Sequence, residues 1–151
     1  MRRRLLAAVV LGLGCTSGRS RPVAPAAEEV VPARPGVVHA AALSAVTDLG
    51  LPLRLVDAAA GVVETDYVDI LAFRPDATQY SPPERLVRFR IVVAAHESGP
   101  ASRLTVYALY APFRTGLSNV RRGERAIPRD HPAMDLVRRM VQRVQKSAGG
   151  G

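Results

Sequence analysis

The chain has 151 residues, a formal net charge of +8 and one cysteine. That length suits one domain and is too short for two comfortable ones, and a lone thiol excludes a disulfide framework. Twenty of the 21 basic residues are Arg, with Lys146 the sole lysine; alongside abundant Ala, Val, Gly and Pro this reads as a GC-rich coding bias more than a nucleic-acid surface, so no nucleic-acid partner is expected.

The first residues carry an address. Arg2, Arg3 and Arg4 form a positive n-region, and Leu5 to Gly14 is a ten-residue uncharged run ending at Cys15. Ten residues cannot span a bilayer, which takes ~20, so residues 1–14 read as a signal peptide. Loss of the signal lowers the net charge to +5. An unpaired thiol in an exported chain is a reactive liability that acylation removes. The alternative is an ordinary cleaved signal with an incidental cysteine.

The run Leu11-Gly12-Leu13-Gly14-Cys15 resembles the lipobox of bacterial lipoproteins. That resemblance implies an acylated (palmitate-bearing) Cys15 as the mature N-terminus, and Thr16 in place of Asp implies the outer membrane, periplasmic face. Several acyl chains would anchor stably, since each buried CH₂ adds about 0.8 kcal/mol.

Residues 15–35, with four prolines and no sustained periodicity, read as the lipidated cysteine and a Pro-rich linker. Residues 36–147 read as the domain and 148–151 as a flexible tail. Val38, Ala42, Ala45, Val46 and Leu49 recur at helical spacing, with Gly50 and Pro52 as stop signals. Leu53–Asp57 reads as a short strand and Val62–Phe73 as one longer strand with Val63, Thr65, Tyr67, Leu71 and Phe73 on one face.

Val87, Phe89, Ile91 and Val93 alternate with Arg88, Arg90 and Val92, and Arg103–Phe113 returns after a turn. Placing His96 opposite Arg103 puts Val93 against Val106, Ile91 against Ala108 and Phe89 against Tyr110. Asp130 or His131 then caps a second helix, with Pro132 in its first turn and Ala133, Val137, Met140, Val141 and Val144 as its apolar stripe. The expected architecture is α+β in two layers: a four-stranded antiparallel sheet with both helices on one face, in the order α-β-β-β-β-α.

Chemistry-bearing motifs are scarce. His39, His96 and His131 stand apart, without metal-ligand spacing, and no nucleophile, phosphate-loop or dinucleotide pattern occurs. No enzyme, metal or cofactor is expected. Glu64 and Asp66 share one strand face about 6–7 Å apart, a spacing compatible with glycosidase chemistry. A cross-strand ladder with Arg88 and Arg90 explains all four residues better. Arg121, Arg122, Arg125 and Arg129 crowd a long polar segment that reads first as a solvated loop, with contact to an acidic partner or anionic headgroups as the alternative.

The segment Ala41–Tyr67, with its helix ending Leu49-Gly50, the strand after it, and Gly61-x-x-x-Thr65-x-Tyr67, resembles the helix-grip repeats of the C lipoprotein of the β-barrel assembly machine. That resemblance implies a non-catalytic module binding an envelope partner. Arg88, Arg90, Arg121, Arg122 and Arg125 are its expected binding surface. The alternative is an amphiphile binder with a sheet–helix groove lined by Tyr67, Phe89, Tyr110 and Met140.

Overall fold

Alternating apolar residues between Leu86 and Tyr110 build the centre of the domain. In a computed structural model, which describes residues 22–112 and 123–150, they form the long hairpin of β5 (Leu86–Ala95) and β6 (Ser102–Tyr110). Before it come β1 (Ala27–Val31), α1 (Pro35–Asp48), β2 (Leu53–Asp57), β3 (Val62–Thr65), β4 (Val68–Asp69) and a 3-10 turn (Ile70–Ala72). After it come β7 (Arg125–Ala126) and α2 (Met134–Gly149).

The sheet is antiparallel in the order β1-β6-β5-β3-β2, with β4 continuing alongside β5 and β7 alongside β6. It therefore has seven strands, and the expected four-stranded sheet is incorrect. Three strands account for the difference. The first, β1, lies between Pro25 and Pro32 in the stretch read as linker; its Val31 is fully buried, and Ser102 Oγ donates to the Ala33 carbonyl at 2.6 Å. The second arises because Val62–Phe73 is broken. Asp69 Oδ1 accepts the Leu71 N–H at 2.9 Å and opens the 3-10 turn, while Asp66 N–H turns away to the Pro52 carbonyl. The third is the two-residue β7, for which no strand pattern is long enough to register.

The β5–β6 register also differs from expectation. Val93 faces Leu104, Ile91 faces Val106, Phe89 faces Ala108 and Val87 faces Tyr110. This is a slip of two residues, which leaves every side chain on its expected face because strand periodicity is two. Local chemistry tightens the turn: His96 Nδ1 accepts the Ser98 N–H and His96 N–H donates to the Ala101 carbonyl, so Ala101 and Ser102 follow directly into the ladder.

Both helices cover one face. Val38, Ala42, Ala45 and Val46 of α1 and Leu136, Val137, Met140 and Val144 of α2 pack on Val63, Phe89, Ile91, Leu104 and Val106 in one core. Gly50 (φ 69°) ends α1 as expected, with Gly50 N–H bonded to the Thr47 carbonyl and Leu51 N–H to the Val46 carbonyl. At the start of α2, His131 is 1% exposed; its Nδ1 accepts the Ala133 N–H, its Nε2 meets the Glu84 carbonyl at 3.0 Å, and Tyr80 stands edge-on to its ring.

The thirteen Asp and Glu residues all fall among the described residues, as do thirteen of the basic residues, so the described domain is electrically balanced. The signal, Cys15, Arg121 and Arg122 lie outside the described residues. Among the described residues no helix is long and apolar enough to cross a membrane.

Candidate functional site

The outward face of the sheet carries the densest polar chemistry. Alternation on β5 turns Phe89 into the core and Arg88 and Arg90 outward. Opposite Arg90 on β3 stands Glu64, and opposite Arg88 on β6 stands Leu109. The β6–β7 pairing, Leu109 with Ala126 and Tyr110 with Arg125, brings Glu124 over the same face.

Arg88 is the hub. Its Nη1 donates to Glu64 Oε1 and its Nη2 to Glu124 Oε2. Its Nε lies against Glu124 Oε1 without hydrogen-bond geometry. Arg90 Nε donates to Glu64 Oε2 at 2.6 Å, and Arg54 Nε stands 3.8 Å from Glu64 Oε1. Tyr67 completes the cluster: its hydroxyl donates to Glu124 Oε1 at 2.5 Å, and the Arg88 guanidinium sits 5.6 Å from its ring centroid.

Electrostatics follow from this packing. Partial burial pushes the Tyr67 phenol up to about 12, helped by its bond to Glu124 and the carboxylate charge. Burial alone would raise Glu124, but the hydrogen bonds from Arg88 and Tyr67 outweigh it and hold Glu124 below the ordinary carboxylate value. Burial likewise opposes the charged form of Arg88, while Glu124 and Glu64 keep it firmly protonated.

The expected ladder therefore forms only in part. Glu64 pairs with Arg88 and Arg90 as predicted, but Glu64 is 4% and Arg88 8% exposed, so this is a buried cluster. Asp66 sits in the strand break and joins no ion pair among the described residues. Arg125 is exposed, but it pairs with Tyr110, which pairs with the core residue Val87, so alternation places it on the helix side of the sheet and away from the expected surface.

The four residues expected to line a groove do not converge. The two-residue interruption at Asp66–Tyr67 resets the alternation, so Val68 enters the core and Tyr67 faces outward with Glu64. Phe89 and Met140 are fully enclosed in the core, and Tyr110 packs on its margin. Glu124 is the site residue that sequence reasoning missed; an acid set between Arg122 and Arg125 is the faint signal it left.

Each histidine is engaged separately: His39 Nε2 with the Val62 carbonyl at 3.3 Å, His96 with Ser98, and His131 at α2. No group of potential metal ligands occurs among the described residues. The arrangement holds an aromatic ring rigidly at the surface among fixed cations, and both of its carboxylates are already occupied by guanidinium groups. No protein-family model matches the chain, and no curated protein matches it either.

Proposed function

We propose that this protein is a non-catalytic binding module of the cell envelope, tethered to the periplasmic face of the outer membrane through Cys15 and docking a protein partner on the outward sheet face. The observation that carries this reading is Tyr67. It is 36% exposed, yet fixed by Glu124 at its hydroxyl and Arg88 beside its ring, with Arg90 joined to the same cluster through Glu64. Tyr and Arg dominate interface hot spots because they supply large contact area at low conformational cost, and anchoring Tyr67 in advance lowers that cost further. The chemistry suits a partner presenting a carboxylate beside an apolar surface.

The resemblance to the C lipoprotein of the β-barrel assembly machine points the search for a partner towards outer-membrane assembly. The amphiphile-binding alternative loses its lining, since Phe89 and Met140 are enclosed and Tyr67 lies on the opposite face. Affinity capture from host membranes, comparing the lipidated protein with Cys15→Ser and with Tyr67→Ala/Arg90→Glu, tests the reading. The surface variant is expected to lose an envelope protein that both other forms retain; equal capture by all three, or lipid alone, counts against it.

A further inference from the structure

Two helices set about 10 Å apart cover roughly four strands spaced ~4.8 Å apart. Here α2 packs beside β1 and β6, and α1 lies mainly over β5 and β3 and reaches β2 only marginally, so β2, at the end of the sheet, is the main strand the helices cover least. Leu53, Leu55 and Val56 of β2 are 41%, 47% and 44% exposed. Val56 pairs with the core residue Val63 and so faces the helix side, where it is nevertheless left exposed.

The neighbouring flank of α1 is apolar too. Asp48 faces α2, where it meets Arg143 at 3.5 Å, whereas His39 faces the other way, onto the Val62 carbonyl of β3. Leu43, one turn from His39, therefore looks towards β2. Pro35 through Thr47 holds no acid, Lys or Arg. A helix without a charged face is normally covered, and a bare apolar strand edge is a template for pairing.

We infer that β2 and this flank of α1 form the interface of a homodimer, in which a second copy pairs antiparallel across β2 and extends the sheet. A second copy answers both deficits at once, offering a strand for the edge and an uncharged helix flank above it. Charge fits as well. The bulge between Leu53 and Leu55 turns Arg54 to the outward face, where it is 53% exposed. Pairing centred on Val56 sets Asp57 of each copy opposite Leu55 of the other, with the bulged Arg54 next to it on the same outward face. The opposite edge, β1, is unsuited to self-pairing because it exposes Glu28 and Glu29, which would face like charges. In this dimer the two Tyr67–Arg88 faces lie side by side on one continuous sheet surface. The inference stands independently of the partner reading above.

Residues 15–151 with Cys15→Ser contain every described residue and the whole core, and sedimentation equilibrium over ~1–100 μM, a range in which modest interfaces populate both states, is the test. The expected result is a rise in mass from one chain to two. Val56→Lys, which places like charges across the dyad, should raise the dissociation constant more than tenfold with an unchanged far-ultraviolet circular dichroism spectrum, while Val30→Lys on β1 leaves the dimer intact. A monomer throughout, or dimerisation equally strong in Val56→Lys, or lost instead in Val30→Lys, overturns the inference.

Discussion

Glu64 of β3 and Arg88 of β5, diagonal neighbours across the two strands, form an ion pair on the outward side of the sheet, where solvent would be expected, yet both are buried. Desolvating such a pair is costly, and removing one partner strands the other. Arg88→Met is therefore expected to destabilise the fold by about 3–5 kcal/mol. The Glu64→Gln/Arg88→Met double variant should lose less than the sum of its parts, with a coupling of roughly 0.5–3 kcal/mol. Urea denaturation of the four proteins measures it; additive losses would mean that the pair does not act as a unit.

Acid should lower the stability of the fold in two steps. Burial lowers the His131 pKa below its ordinary 6.5, so the folded state disfavours protonation. Its contribution is complete above about pH 6.5 and is lost as pH falls towards the depressed folded value. Glu124 is also held below its ordinary value, so its contribution is lost later, as pH falls through that lower value. Stability measured against pH should show an early decline that His131→Gln removes and a later one that Glu124→Gln removes.

Alkali acts through Tyr67. A phenol raised to about 12 stays neutral in the fold while an unfolded tyrosine titrates near 10. Stability is complete below about pH 10 and falls as pH rises towards 12. An ultraviolet phenolate titration should show a step near 12 that is absent from Tyr67→Phe, beside that of Tyr80, which burial and the Asp130 charge also raise.

Two glycines should respond oppositely to alanine. At Gly61, in the β2–β3 turn with φ 67°, a Cβ would stand 2.2 Å from the Val93 carbonyl oxygen, whose own residue donates its N–H to the Gly61 carbonyl. Gly61→Ala should cost upwards of about 1–3 kcal/mol from backbone strain alone, with the backbone collision adding to it. Gly36, in the first turn of α1, has nothing within 4 Å of that position. There the substitution should stabilise by about 0.4–1 kcal/mol. Thermal melts of the two variants decide both.

How far the fold was readable depended on the length of each pattern. Ten residues of alternation in β5 show which side chains enter the core, but a two-residue slip preserves every face, so the register waited on the His96–Ser98 contact. The helices were legible from spacing and from Gly50. What stayed hidden was short or interrupted: β1 between two prolines, β7 at two residues, and the Asp66–Tyr67 break that sends Tyr67 outward. The Glu64–Arg88 and Glu64–Arg90 pairs were legible from strand alternation. Their burial and Glu124 were not, because both depend on a segment some 60 residues downstream in the chain being brought onto the sheet by β7.

The docking role of the Tyr67 face is tested most directly by placing a photo-cross-linking residue at position 67 of the lipidated protein in its native host. The account predicts a discrete adduct with an envelope protein, weakened by Arg90→Glu and absent when the probe is moved to position 30 on β1. No adduct at position 67, or an equal one at position 30, would contradict it.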